Sequence, residues 1–167
     1  MQIPQTEETL TEIFRKLGAC EPEQWARSQI EEGVPQLVRF LFLKEAWQEV
    51  LPDGDISWID REIAQARKSP EEPYAGLGAA LARCRAAGAD DADLSEIFRC
   101  AQAQMLFSLC YLLDCPHPPP EPAEDVCWAL FQVDEEGRPV GPPVGGLHED
   151  VLSMDPTGQE MRPVHRE

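Results

Sequence analysis

The longest hydrophobic pattern of the chain runs from Asp93 to Asp114 and predicts one long helix. Apolar residues recur there at steps of three and four, the spacing that one face of a helix with 3.6 residues per turn produces. We expect this face to turn inward, and the almost wholly apolar stretch between Met105 and Leu113 to be enclosed by neighbouring helices or by a second chain. The residues of the predicted inward face are Leu94, Ile97, Phe98, Ala101, Met105, Ser108, Leu109 and Leu112.

The two ends of this helix predict where it begins and which residue near its end needs a partner. Asp93 and Glu96 have the spacing of a capping box, which predicts a helix that begins at Asp93. Asp114 lies in the last turn, where the helix dipole favours a cation, and no basic residue lies near it in sequence. A side chain from elsewhere in the fold, water or a basic partner must therefore compensate Asp114.

Weaker patterns of the same spacing predict further helices before residue 88. The segment from Pro35 to Leu51 is the second strongly apolar one, and we expect it and the long helix Asp93–Asp114 to cover each other. Gly76 and Gly78 weaken the first turns of an alanine-rich helix that can approach its neighbours closely. The predicted helices start near Thr6 or Thr9, at Pro22, at Pro35, at Ser57 and near Tyr74.

After residue 115 the pattern changes. A proline-rich stretch at 116–125 predicts an extended, rigid connector. The segment Val126 to Val133 is short and rich in β-forming residues, and we interpret it as a strand with both faces buried. Its expected partner is the segment from Arg138 to Val144, although three prolines there predict a short pairing or one completed by a second subunit.

Together these patterns predict a mainly α protein: a compact multi-helix domain of five to six helices with a short C-terminal strand or hairpin packed on it. The chain of 167 residues is most simply one domain. Residues 1–115 form its helical core, 116–125 the connector, and 126–167 an extension that belongs to the same globular unit.

Charge narrows the functional classes. The chain has 31 acidic against 14 basic residues and a formal net charge of −17. No Lys or Arg occurs between Cys100 and Gly137. Such a field repels phosphate backbones, so we expect no direct nucleic-acid binding, and it attracts basic proteins as well as favouring solubility. The apolar run of the long helix is too short to span a membrane.

Cysteines and the start of the chain indicate the compartment. The N-terminal residues lack a basic stretch followed by an apolar one, so we expect no signal peptide, and the six cysteines sit mostly in apolar patterns. We therefore expect free thiols in a reducing, cytoplasmic setting. The spacing of Cys110, Cys115 and His117 is poor for zinc, and we expect no metal or other cofactor.

The candidate binding residues come from charge and residue type, since no phosphate loop, nucleophile elbow or zinc-protease motif is present. Trp25 is a candidate contact anchor, and the group His148, Glu149 and Asp150 has the residue types of acid–base catalysis. The acidic candidates are Asp114, Glu121, Glu124, Asp125, Glu135 and Glu136.

Three functions fit these observations. The first is a non-enzymatic, acidic protein that binds a basic partner, as an inhibitor, an immunity-like protein or an adaptor does. The second is a homodimeric structural or regulatory protein whose apolar helix and strand form the interface. The third is a small metal-dependent or acid–base hydrolase, which lacks a nucleophile that the sequence can place.

Overall fold

The computed structural model describes Pro4 and residues 6–115 and 121–163, and these residues are mainly helical with a short antiparallel hairpin. The predicted fold class is therefore confirmed. The described elements are α1 (Glu7–Leu17), α2 (Pro22–Glu31), α3 (Gln36–Gln48), α4 (Ser57–Lys68), α5 (Ala75–Ala86), α6 (Asp91–Asp114), β1 (Leu130–Val133), β2 (Pro139–Val144) and α7 (Leu147–Asp150).

The described residues divide into two compact units. The first lies within Met1–Trp47 and Leu106–Glu160, and the second within Gln48–Met105 and Met161–Glu167, so that the division falls inside α6. These units cut across the three segments predicted from the sequence, and the organisation of those segments as one domain stays a prediction.

The first unit is built on an aromatic cluster between α1, α2 and α3. The ring of Phe14 meets that of Phe40 edge to face at a centroid distance of 5.5 Å, and Trp25 lies 5.4 Å from Phe40 in a similar geometry. Such pairs add to the apolar burial that holds helices together. The predicted packing of the helix after Pro35 on the long helix α6 is a different contact, and it stays a prediction. The buried members of this core are Leu10, Phe14, Ala26, Leu37 and Phe40.

The beginning of α6 differs from the sequence prediction. The helix starts at Asp91, and the carboxylate of Asp90 accepts the backbone N–H of Ala92 at 2.7 Å. The prediction that Asp93 begins the helix was wrong, because Asp90 offers the same capping oxygen one turn earlier.

The orientation of α6 also differs. Ile97, Met105 and Leu109, which belong to the predicted inward face, expose more than half of their surface. Ser108 and Leu112 are exposed as well. Neighbouring helices of the same chain therefore leave most of the large side chains between Met105 and Leu113 exposed, and enclosure by a second chain stays a prediction.

Small and polar residues occupy the buried face of α6 instead. In the second unit, Ser95 accepts the indole N–H of Trp58 at 3.1 Å and donates its hydroxyl to the carbonyl of Asp55. A buried hydroxyl with both partners costs little, so this position can face inward although it is polar. The fully or nearly buried residues of α6 are Ser95, Arg99, Ala103 and Cys110.

The second unit is held by α4 and α5. Its core is formed by Trp58, Ile59, Ile63 and Leu81, and Phe98 packs against it with its ring centroid 4.6 Å from that of Trp58. Gly78 permits a close approach of the two helices, because a Cβ at this position would lie 2.1 Å from the carbonyl oxygen of Glu62.

The hairpin near the C-terminal end is shorter than predicted. The strand begins at Leu130 rather than at Val126, and Phe131 and Val133 are exposed on one of its faces, so the expectation of two buried faces was wrong. The expected pairing with the segment after Arg138 is confirmed, and its register is irregular between Leu130 and Gln132. Prolines in β2 cannot donate to the ladder, which explains the irregular pairing.

We expect Gly78→Ala to destabilise the protein by about 1–3 kcal/mol, because the added methyl group overpacks the contact of α5 with α4. The matched control is Gly76→Ala. A Cβ at this position meets nothing within 4 Å, so the substitution should stabilise the helix by about 0.5–1 kcal/mol. Urea unfolding followed by circular dichroism measures both. Equal midpoints for the two variants would contradict the close approach.

Candidate functional site

The last turn of α6 ends in a buried carboxylate. The side chain of Asp114 is 3% exposed, and its Oδ2 lies 2.6 Å from Nδ1 of His148. The same oxygen accepts the backbone N–H of His148 at 2.8 Å. A side chain from elsewhere in the fold therefore compensates Asp114, which was one of the alternatives that the sequence left open.

Aromatic side chains of α6 complete this end. Tyr111 and Phe107 meet the imidazole of His148 edge to face, at centroid distances of 5.1 and 6.1 Å. The other carboxylate oxygen of Asp114, Oδ1, is buried and has no hydrogen-bond partner in the described part of the chain. Both described hydrogen-bond contacts of this carboxylate therefore come from His148, and a buried carboxylate without such contacts is costly.

A second buried charge lies beside α7. The guanidinium of Arg39, on α3, donates to the carbonyl of Gly146 and lies 2.5 Å from Oδ2 of Asp150, although that contact is not aligned as a hydrogen bond. Glu149 is 3.6 Å away and mostly exposed. Burial raises the pKa of Asp150, the Arg39 charge opposes this shift, and Glu149 and Asp114 add to it.

Trp25, Glu149 and Asp150, three of the predicted site residues, line one open cavity of about 1030 Å³ in the first unit. Trp25 is half-buried there and stacks on Phe14 at 5.9 Å, so it belongs to the core as much as to the surface. The acidic residues between 121 and 136 do not contribute to the lining of this cavity. The predicted site residues therefore do not all line one cavity.

The acidic residues in the span from 121 to 136, which contains no Lys or Arg, lie at or near the surface. Arg138 turns back on this span and pairs with Asp134 at 2.8 Å and with Glu136 at 2.7 Å. Hydrogen bonds from the backbone and side chain of Arg138 hold the pKa of Asp134 below its usual range. Four exposed acids make no ion pair with any residue that the structure describes: Glu121, Glu124, Asp125 and Glu135.

Exposed apolar side chains lie at the end of α6 and in the segment that follows Asp125 in the chain. The indole N–H of Trp128 donates to the carbonyl of Leu112 at 3.2 Å, so the end of α6 holds Trp128 in place while its ring stays partly exposed. Leu109, one turn earlier on α6, and Val126 are exposed as well. We call Leu109, Leu112, Val126 and Trp128, with the four unpaired acids, the apolar–acidic surface.

Sequence reasoning assigned the apolar half of this surface to the core. The pattern did indicate exposed apolar side chains. α6 is apolar nearly all round near its end, and a helix that packs on its neighbours through one face leaves its other faces in contact with water. Helical periodicity shows where apolar residues align, but it does not show what covers them.

Comparison of the chain with protein-family models, with curated proteins and with solved structures finds no match. The functional proposal below rests on the residues and contacts themselves. Among the helices that the structure describes, none has both the length and the apolar character needed to cross a membrane.

The described residues give limited support to the predicted chemistry of a hydrolase or metal protein. They contain no group of three or more His, Cys, Asp or Glu side chains that could hold a metal ion, and His117 of the Cys110–Cys115–His117 spacing lies outside them. Asp114 orients the imidazole of His148 as a carboxylate orients a general base, but no described hydroxyl or thiol forms a hydrogen bond with that ring.

We expect Cys110 to react with iodoacetamide about a hundredfold more slowly than an exposed cysteine at pH 8. Burial, and secondarily Asp114, raises the pKa of this thiol from 9.0 to about 11, which leaves roughly a hundredth of the reactive thiolate. Peptide mass spectrometry after timed labelling of the native protein measures each site. The internal controls are the exposed cysteines Cys20, Cys84, Cys115 and Cys127.

The same labelling in concentrated urea should bring Cys110 to the rate of the other sites. A native rate for Cys110 equal to that of Cys115 would show that the inner face of α6 is open to solvent.

Proposed function

We propose that this protein binds a basic protein through the apolar–acidic surface of its first unit. The observation that supports the proposal most directly is Trp128, a large aromatic side chain that is held by Leu112 and left partly exposed among unpaired acids. Partly exposed tryptophans of this kind are frequent anchors of protein interfaces.

The apolar residues supply the affinity in this proposal. Contiguous apolar side chains are uncommon on the surface of soluble monomers, and they mark places where a partner removes them from water. Leu109 and Leu112 lie one turn apart on α6, and the contact of Trp128 with Leu112 joins the segment after residue 125 to that helix face.

The acids supply the choice of partner. Glu124 and Asp125 directly precede Val126 in the chain, and neither forms an ion pair with a described residue. Negative charge at the rim of an apolar patch speeds the encounter with a positively charged surface and repels acidic competitors. A basic protein with an apolar patch of its own fits both halves of the surface.

A homodimer is the second candidate function. The exposure of Leu109 and Leu112 on one face of α6 favours it, because two copies could cover each other along this face. The net charge of −17 on each copy works against close association of two copies. We therefore rank the basic partner first.

We expect neutralisation of the four unpaired acids to abolish most of the salt-dependent binding. The variant carries Glu121→Gln, Glu124→Gln, Asp125→Asn and Glu135→Gln. The matched control carries Glu31→Gln, Glu32→Gln, Glu71→Gln and Glu72→Gln, which raises the net charge by the same amount at exposed positions that are not part of this surface.

Both proteins are immobilised beside the wild type and used to capture proteins from an extract of the source organism at low salt. The expected result is a basic protein that the wild type and the control retain, that high salt releases, and that the surface variant loses. Identical capture by the two variants would overturn the proposal, since charge at the surface would then have no special role.

We expect Leu112→Ala to weaken binding of the captured protein by about 1–2 kcal/mol, because the truncation removes apolar area at the centre of the surface. Leu152→Ala is the matched control: Leu152 is 41% exposed and Leu112 is 42% exposed, and the former lies outside the surface. Titration calorimetry gives the two affinities, and urea unfolding tests that both variants are folded. Equal affinities would remove α6 from the interface.

A further inference from the structure

The hairpin shows which backbone groups of β1 point away from β2. The N–H of Asp134 donates to the carbonyl of Arg138 at 3.0 Å and closes the ladder. Inward and outward groups alternate along an antiparallel pair, so Gln132, opposite Val140, also points inward. The N–H and C=O groups of Phe131 and Val133 therefore point outward.

The position of Pro139 agrees with this assignment. Pro139 lies opposite Val133 and has no N–H, which costs nothing at a pair that exchanges no hydrogen bonds across the ladder. The outer edge of β1 thus offers two donors and two acceptors in the order that an added strand requires.

No third strand pairs with this edge in the described part of the chain, because the sheet there has the two strands β1 and β2. The other edge of the sheet is a poor template, because three of the six residues of β2 are prolines without an N–H.

The edge is only partly protected against pairing with another chain. Natural edge strands are kept short, are bulged, or carry lysine or proline. β1 has four residues and an irregular register with β2, but its sequence LFQV contains no lysine or proline, and the side chains of Phe131 and Val133 are apolar and exposed. An apolar edge without lysine or proline can pair with a short partner segment.

We propose that the outer edge of β1 takes up an extended, basic segment of the partner as a third, antiparallel strand. This inference rests on the proposed function and deepens it, because it names the conformation of the bound segment. Main-chain hydrogen bonds to Phe131 and Val133 supply register, and pockets beside an added strand read alternate side chains.

Charge determines the occupant. Glu124 and Asp125 precede β1 in the sequence and Glu135 follows Asp134 at its end, so exposed acids border the strand on both sides along the chain. A strand that alternates apolar and lysine residues places its apolar side chains beside Phe131 and Val133 and its ammonium groups within reach of these acids. A second copy of β1 would instead bring the same acids together.

The probe is a ten-residue peptide of alternating lysine and valine with blocked ends. Its control has the same sequence with alternate backbone nitrogens methylated, which keeps charge and side chains but removes the donors along one edge. The proteins compared are the wild type, the four-acid variant and Val133→Pro, which deletes the outward N–H. Val133→Ala keeps that N–H and controls for the side chain.

If strand addition is correct, methylation of the peptide lowers its affinity for the wild type by about tenfold or more, since at least one to two hydrogen bonds of about 1 kcal/mol each are lost. Val133→Pro binds both peptides equally and weakly, whereas Val133→Ala still distinguishes them. The peptide comparison stays informative even if Val133→Pro disturbs the hairpin, because it leaves the protein unchanged.

The remaining outcomes separate the two proposals. If methylation and Val133→Pro have no effect while the four-acid variant binds less, the basic-partner function stands and strand addition is overturned. If all proteins bind both peptides alike, both proposals fail. A wild-type dimer in sedimentation equilibrium that Val133→Pro dissociates would show that a second copy occupies the edge, which overturns the basic segment as its occupant.

Discussion

A carboxylate that ends a helix inside a protein is the constraint on which the first unit depends. Asp114 adds a negative charge to the negative end of the α6 dipole, and it is almost fully buried. Both the imidazole and the backbone N–H of His148 meet it. This contact joins residues 34 positions apart, so the chain that leaves α6 must return to it. The hairpin lies within that excursion, which explains why a two-stranded sheet of low intrinsic stability can present a defined edge.

The orientation of α6 follows from what its inner face can satisfy. Ser95 is buried because Trp58 and the carbonyl of Asp55 satisfy its hydroxyl, and Cys110 is buried because a thiol behaves as a small hydrophobe. These small side chains let α6 approach its surroundings, while the larger ones, such as Leu109, remain in contact with water. Exposed apolar area carries a risk of aggregation. The net charge of −17 opposes aggregation, because like-charged copies of the protein repel one another.

The two proposals share a physical logic. In the first proposal, side chains of the apolar–acidic surface discriminate partners by charge and apolar area; in the second, the β1 edge pairs with the backbone of an extended, basic segment. Arg138 contributes to this division, because it neutralises Asp134 and Glu136 and stabilises the turn of the hairpin. Among the acids between residues 121 and 136, this leaves Glu121, Glu124, Asp125 and Glu135 without an ion pair to any described residue.

The sequence by itself determined the positions of the helices, the turn before Arg138, the free thiols and the mainly α class, because each depends on neighbours within a few residues. It placed the start of α6 at Asp93 instead of Asp91, since two acids near the same end offer similar caps. Only the tertiary structure decided that Asp114 meets His148, that Trp25 packs on Phe14 while lining an open cavity, and that much of the apolar stripe of α6, including Ile97, Met105 and Leu109, is exposed. Periodicity reports that apolar residues share a face, but burial of that face depends on residues far away in the chain. For α6, those distant residues cover the side that carries Ser95 and Cys110.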